Sequence, residues 1–498
     1  MSKRDPHLAR IACLLVPDLA VAAVVRADPD LAGRPLALTE GRGPHASVVA
    51  VSAEARARGV RPGRHSAAQA RMILADLVLR PRDVAAERTA TLALADVAAS
   101  CTERVEIAAD GAVLLDADGC RSLFGGDAGL ATALAARSER VGLAARAAVA
   151  ATATTARLAA LHGDGCTVVP AGTELGFLAP LPLACLAPDD ATAGTLARWG
   201  VRRLGDLARL PEAEVATRLG PSGAALLRAA RGLDARPLLP NHTRREIEES
   251  LSLDHSIDTL EPLLFVLRGL VERAIDRLGL AGIGCVRLHL GLRLDDRSRD
   301  ERTLALAAPT RDPKTLLTLL RLDVEGRPPR AAIDGLTLTV VPQAIRPTQL
   351  GLFVPAGPAP EQLATTLARL GVLCGTDRVG HPVAVDTHVP GAAALAPFVP
   401  PAPAPAPAAA DCRLMVRTVR PPKPLEVFST RDQPIYVRGH GMAGRVVGAA
   451  GPWRVTAEWW RERPCRRDYY DLELTDGGVY RCFRDLGTGR WYVDGVYD

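Results

Sequence analysis

Lysine is nearly missing from this chain: of 61 basic residues only Lys3, Lys314 and Lys423 are lysines, so arginine carries almost all the positive charge. The formal net charge is only +5, which permits nucleic-acid binding without requiring it. Ten cysteines stand far apart and never form a Cys-x-x-Cys pair. That excludes a zinc ribbon and a small disulfide scaffold, and leaves reduced thiols. No run of about 18 uncharged apolar residues occurs, so no spanning helix is expected. The start, Met1-Ser2-Lys3-Arg4-Asp5, leads into an apolar stretch too short for a signal peptide. A soluble cytoplasmic protein with no membrane contact is expected. Tyrosine is absent until late: all six Tyr and four of the five Trp follow residue 435. The tail therefore packs by its own rules and reads as a separate module.

At 498 residues the chain is too long for one hydrophobic core, so several domains are expected. Ile11 to Val16 is a short β-forming apolar run stopped by Pro17-Asp18, which reads as a buried strand and a turn. Ser47 to Val51 reads as a strand, Ala53 to Arg58 as a helix stopped by Gly59, and Ala67 to Leu74 as a further helix. A long helix, Val84 to Ser100, precedes strands Val105 to Ala108 and Ala112 to Asp116, separated by the hairpin dipeptide Asp110-Gly111. Helix Gly129 to Val141, strand Ala144 to Ala150 and helix Thr152 to Leu161 complete an alternating α/β or α+β pattern.

From Leu196 to Gly232 the pattern is helical, with glycine-bearing connections at Gly200, Gly205 and Gly220-Pro221. Two readings fit: a helix-hairpin-helix that offers backbone N–H groups to a phosphate, or an ordinary αα-hairpin. Next come a strand (Arg245 to Leu253), helix (Leu260 to Leu278), two strands (Cys285 to Leu294, Thr303 to Ala308), helix (Pro313 to Leu322) and strand (Leu336 to Pro342). This βαββαβ order predicts a four-stranded sheet with both helices on one face. Strict alternation in Val286 to Leu294 puts Arg287, His289 and Arg293 on the solvated face. Residues 346 to 360 read as a turn-rich linker, Glu361 to Leu373 as a short amphipathic helix, and Pro390 to Pro407 as a semi-rigid Ala-Pro spacer. From about Arg413, short aromatic runs with glycine turns predict a small β-rich domain.

The run Ser52-Ala-Glu-Ala-Arg-Ala-Arg-Gly-Val-Arg-Pro-Gly63 resembles the fingers signature of Y-family DNA polymerases, where Ser-Tyr-Glu-Ala-Arg precedes a Gly-Val-x-x-Gly turn. The tail motifs Glu458-Trp-Trp-Arg461 and Arg467-Asp-Tyr-Tyr470 resemble the C-terminal module of ImuB proteins, polymerase-like partners in bacterial mutagenesis cassettes. The resemblance implies a multidomain α+β fold: palm over residues 1–170 with fingers inserted at about 20–78, helix-hairpin-helix thumb over 171–240, and βαββαβ little finger over 241–345. A linker over 346–410 and a β-rich protein-interaction module over 411–498 complete it.

Polymerase chemistry needs two divalent cations about 4 Å apart, held by palm carboxylates. Relative to the family's pattern, Val16 takes the place of the first metal ligand, Asp18 remains, and the acidic pair of the palm hairpin falls on Gly111 and Ala112. A shift by one residue keeps Asp110 but supplies no Glu. In the fingers Ala53 replaces a triphosphate-contacting Tyr, while Arg56 survives as either a phosphate contact or a solvated helix arginine. Asp18 and Asp110, one after Pro and one before Gly, also read as plain turn residues. No catalysis, metal or cofactor is expected from this site; the rival reading is an active translesion polymerase.

What the resemblance leaves is binding. Gly200, Arg202, Arg203 and Gly205 of the hairpin, with Arg287 and Arg293 of the sheet, are candidates for shape-led DNA contact, against the alternative of ordinary solvated charge. Gln349-Leu350-Gly351-Leu352-Phe353 resembles the peptide by which bacterial polymerases dock on the β sliding clamp. The family also implies a RecA-like ImuA protein and an error-prone DnaE-type polymerase as partners. Trp459, Trp460, Tyr469 and Tyr470 either build the tail's own core or anchor those partners.

Overall fold

Strand β1 (Ile11–Leu15) carries no charge on either face, as a strand covered on both sides requires, and Ala12, Cys13 and Leu14 are fully buried. In the computed structural model, which describes residues 10–233, 236–242, 246–345, 360–396, 398, 415–462 and 464–497, β1 is the central strand of a five-stranded sheet. After it come α1 (Leu19–Ala27), β2 (Leu36–Glu40), β3 (Ser47–Val51), α2 (Ala53–Ala57), α3 (Ala67–Ile73) and β4 (Val78–Pro81). Strands β2, β3 and β4 form their own small sheet, against which α2 and α3 pack through Ala55 and Ala70. The Ser52 hydroxyl accepts the Ala55 N–H and starts α2, and a Ser66–Gln69 capping box starts α3.

The chain then returns to the large sheet with α4 (Val84–Ala99), β5 (Val105–Ile107), β6 (Val113–Asp116), α5 (Asp127–Arg140), β7 (Arg146–Ala150), α6 (Ala153–His162) and β8 (Cys166–Val168). Strand order is β5-β6-β1-β7-β8. Ala12 and Leu14 face a core shared with α4 and α5, while Cys13 faces α6. Four helices follow: α7 (Glu174–Leu178), α8 (Asp190–Arg198), α9 (Leu204–Ala208) and α10 (Glu212–Ala230), gathered around Leu178, Leu196, Leu204 and Leu227. Gly220 breaks α10 with φ 69°, so Pro221 opens its second half where a missing N–H does no harm.

The βαββαβ reading matches β9 (Ile247–Ile257), α11 (Leu260–Gly279), β10 (Ile283–Leu294), β11 (Arg299–Thr310), α12 (Pro313–Gly326) and β12 (Ile333–Ala344), in sheet order β11-β10-β12-β9. Leu288, Leu290 and Leu292 meet Leu267, Leu270 and Leu319 of the helices, which leaves the other face of the sheet open.

Edge strand β9 is docked on the first part of the chain by charge. Glu249, fully buried, accepts both arms of Arg26 at 2.7 and 2.8 Å, Arg277 at 2.9 Å and Arg273 at 3.2 Å. Arg277 also donates to Asp96 of α4 at 2.7 Å, and His242 lies 3.2 Å from the same carboxylate. Burial alone would push the Glu249 carboxyl up, but the charges of Arg26, Arg277 and Arg273 outweigh it and hold it below the usual range. Around this joint Asp83 accepts the Ser252 N–H, Arg80 pairs with Asp254 at 2.9 Å, and Arg42 reaches the carbonyls of Leu253 and Asp254.

Two compact units divide the chain, Met1–Val372 and Leu373–Asp498, with α13 (Pro360–Cys374) crossing the division. Within the second, β13 (His381–Ala384) and β14 (Ala393–Ala396) form a hairpin in a stretch read from sequence as linker. Strands β15 (Val416–Thr430), β16 (Gln433–Gly439), β17 (Met442–Ala457), β18 (Cys465–Leu474), β19 (Val479–Asp485) and β20 (Trp491–Tyr497) close into an antiparallel barrel filled by Leu425, Val437, Leu472, Cys482 and Val493. No described helix is long and apolar enough to cross a membrane.

Glu249→Gln should lower unfolding stability on the order of 3–5 kcal/mol, because it leaves buried guanidiniums uncompensated. A carboxyl whose folded pKa is depressed stabilises above its unfolded pKa and stops doing so as pH falls through the folded value. The gap between wild type and variant in denaturant midpoint should therefore be full above about pH 4.5 and close at lower pH. Equal midpoints at neutral pH would remove the network from the account.

Candidate functional site

Strand β1 runs antiparallel to β6, with Leu14 opposite Val113 and Ile11 opposite Asp116. Continued by two residues, that register sets Leu15 across from Ala112 and Val16 across from Gly111. The three positions where metal-binding carboxylates are expected thus lie together at one end of the strand pair, and the residues there are apolar: Val16 and Ala112 are buried. Gly111 has φ 81°, and a Cβ built on it would stand 2.9 Å from Leu19 Cδ2 and 3.7 Å from Thr91 Oγ1. A leucine from the start of α1 fills the space in front of the hairpin.

The two surviving carboxylates are engaged elsewhere. Asp18 precedes α1 in the left-handed conformation, φ 51°, and accepts from Arg56 at 2.6 Å. That bond pushes the Arg56 guanidinium pKa further up. Asp110 accepts the Ala112 N–H within its own turn and Arg157 Nε at 2.6 Å. Beneath the hairpin, burial pushes the Cys13 thiol up to about 12, which makes it a core residue and no nucleophile. Ala53, on the exposed first turn of α2, presents only a methyl group. Among the described residues no three His, Cys, Asp or Glu side chains come together. These residues do not fit a two-cation centre.

Between α8 and α9 the glycines do a different job from the one expected. Gly200 adopts φ 78°, and its N–H donates to Ala197 O. Val201 donates to Leu196 O, Arg202 and Arg203 to Asp206 Oδ2, Leu204 to Leu181 O and Gly205 to Ala179 O. Every amide from 200 to 205 is spent inside the protein, and a Cβ on Gly205 would lie 2.9 Å from Ala179 O. Gly205 therefore permits close backbone packing, and only the exposed side chains of Arg202 and Arg203 remain to meet a phosphate.

On the open face of the second sheet, Arg287 is exposed, whereas Arg293 is tied to Asp334 at 2.6 Å. Beside them lies a shallow hollow of about 440 Å³ lined by Ser250, His289, Arg293, Arg299, Thr303 and Thr337, among others. His289 Nδ1 and Thr303 Oγ1 are 2.9 Å apart across β10 and β11. Hydroxyls and guanidiniums on a flat sheet suit a polyanionic backbone better than a small apolar ligand. Only the alternation of small polar residues along β9 and β12 hinted at these additional positions.

In the barrel the four aromatic candidates separate. Tyr469 and Tyr470 are 5% and 9% exposed, and β18 holds them in packing: Tyr469 donates to Asp494 at 3.1 Å, and Tyr470 lies 4.9 Å from the Trp491 ring. Of the two roles open to them, both tyrosines take the core one and are not surface anchors. Trp459 and Trp460 are 75% and 68% exposed, edge to face at 5.6 Å. Glu458 steadies their turn, accepting from Thr387 and Arg461. The clamp-like peptide, Gln349 to Phe353, lies outside the described residues.

The two sheets of the first part of the chain and the βαββαβ unit lie largely within what family models match. Residues 18–161 match the impB/mucB/samB family and residues 244–324 its C-terminal domain. Fold and site together define a Y-family polymerase-like protein. Protein ImuB of Caulobacter vibrioides is 30% identical over 468 residues, covering 88% of this chain and 100% of that protein. The chain belongs to the ImuB family. DNA polymerase IV of Halorhodospira halophila is 29% identical over 324 residues, covering 63% of this chain and 90% of the relative. The crystal structure of DinB from Sulfolobus solfataricus superimposes with a TM-score of 0.40 at 17% identity, over 68% of this chain and 100% of that one, a likeness too loose to carry an argument.

Gly111→Ala should cost about 1–3 kcal/mol, since the left-handed backbone and Leu19 both oppose a side chain. Asp110→Asn should cost no more than about 1 kcal/mol, because its pair with Arg157 is more than a third exposed. Thermal unfolding of the two variants checks the ranking; a larger loss for Asp110→Asn would point to a structural part for that pair.

Proposed function

We propose that this protein is a non-catalytic adaptor for translesion synthesis and damage-induced mutagenesis, built on a polymerase body that no longer polymerises. One observation carries the reading: Val16, Gly111 and Ala112 meet where metal ligands would stand, and Asp18 and Asp110 are held by Arg56 and Arg157. Phosphoryl transfer draws most of its transition-state stabilisation from metal-bound charge, which this end of the sheet has no donors to hold.

The adaptor would work through surfaces. Arg202, Arg203 and Arg287 would touch template-primer phosphates without reading sequence, and the hollow beside His289 and Thr303 adds hydroxyl donors. Gln349, Leu350, Leu352 and Phe353 would engage the β sliding clamp, the apolar three filling its groove. Trp459 and Trp460, exposed on a braced turn, would anchor a protein partner, an error-prone DnaE-type polymerase or a RecA-like ImuA protein. The rival is an active Y-family translesion polymerase, and it shares every surface but the chemistry.

Purified protein with a primed template should show no template-directed incorporation with Mg²⁺ or Mn²⁺; clear extension would establish the rival. Replacing Gln349, Leu352 and Phe353 by Ala should abolish clamp binding, and an unchanged affinity would remove that peptide from the proposal. Arg287→Ala should lower the slope of log affinity for duplex DNA against log salt by about 0.9, as for one lost phosphate contact. Arg293→Ala should change it less, because Asp334 already neutralises that guanidinium.

A further inference from the structure

On the outer face of the barrel, opposite the side on which Val437 is buried and Val427 half-buried, one cross-strand row joins Phe428, Tyr436 and Arg445. Phe428 is 55% exposed, and its ring stands 6.0 Å from that of Tyr436 at an interplanar angle of 60°. Pleat alternation adds Arg438 on β16 and Val447 on β17, both exposed. Arg431, exposed in the β15–β16 turn with φ 52°, borders the same face. Among the described residues Arg431, Arg438 and Arg445 make no ion pair, although Glu426 lies opposite Arg438 in register. Glu426, Asp432 and, opposite Gly448 on the neighbouring strand, Glu473 are carboxylates that border this surface.

Exposed aromatic rings in a barrel sheet are usually hidden by a neighbour or used. Here Tyr436 stands between Phe428 and Arg445 in register, with Arg438 following on the same strand, which is poor chemistry for an apolar partner and good chemistry for a polyanion carrying flat rings. Unpaired bases stack on aromatic side chains whatever their identity, and the backbone between them is drawn to arginine; a duplex hides the base faces and gains nothing from the rings. We propose that the Phe428–Tyr436–Arg445 row, flanked by Arg438 and Arg431, is a binding platform for single-stranded nucleic acid. It is separate from the sheet and hairpin arginines of the first unit, and it stands whether or not residues 349–353 hold a clamp.

The test uses the full chain and a fluorescein-labelled oligothymidylate, read by anisotropy, with a blunt duplex measured in parallel. Phe428→Ala with Tyr436→Ala should weaken oligothymidylate binding about 10-fold or more and leave duplex binding unchanged. Arg438→Ala with Arg445→Ala should lower the slope of log affinity against log salt by about 1.4, the share of two phosphates on a single strand. Phe428→Trp with Tyr436→Phe keeps the ring faces and should keep the affinity, which separates stacking from misfolding. The proposal is overturned if the wild-type chain does not bind the oligonucleotide, or if the Trp/Phe variant loses as much as the alanine variant. It is overturned equally if the alanine variant binds as wild type does, including the case in which it loses only a protein partner, which would make this face a protein interface.

Discussion

The first unit depends on a carboxylate that water never reaches. Glu249 sits on the edge strand of the second sheet and is held by guanidiniums from α1 and α11, while Arg277 carries the contact on to Asp96 in α4. A lone buried charge would cost several kcal/mol, so each of these groups is tolerable only while the others are in place. The consequence is mechanical. The βαββαβ unit is not merely tethered to the body by a linker; it is bolted through a joint that has no half-formed state of low energy. Asp83, Arg80 and Arg42 add outer contacts around the same seam.

That rigidity suits a body whose sheet end, beside β1 and β6, is filled by packing. At the end of the β1–β6 pair, valine, glycine and alanine stand together with Leu19 over them, and two arginines take up the aspartates that remain. The arrangement is coherent: apolar atoms fill the room, and Asp18 and Asp110 are paired at the rim. The same chain carries an apolar sheet end, an open polar sheet face and exposed rings on the barrel.

Much of this was legible in the chain. Alternation in Val286 to Leu294 located the open face because a strand in a half-covered sheet must alternate. The uncharged run at Ile11 marked the central strand because both its sides are covered. Other features left no local signal. Nothing near Glu249 or Arg277 in sequence announces their contact, since their partners Arg26 and Asp96 are more than a hundred residues away. The amides around Gly200 read as phosphate donors, yet they are spent on Leu181, Ala179 and Asp206, a fact set by how α7 and α9 meet. The hairpin β13–β14 was missed because Ala and Pro carry little strand signal.

The sequence alone determined the βαββαβ order, the family and the apolar identity of Val16, Gly111 and Ala112, because residue identity and periodicity survive without coordinates. Only the tertiary structure decided what became of what was left. It paired Asp18 with Arg56 and Asp110 with Arg157, buried Tyr469 and Tyr470 while exposing Trp459 and Trp460, and drew Phe428, Tyr436 and Arg445 into one row. Each outcome depends on which residues distant in the chain become neighbours, and that is settled by strand register and helix packing, which no single stretch of sequence contains.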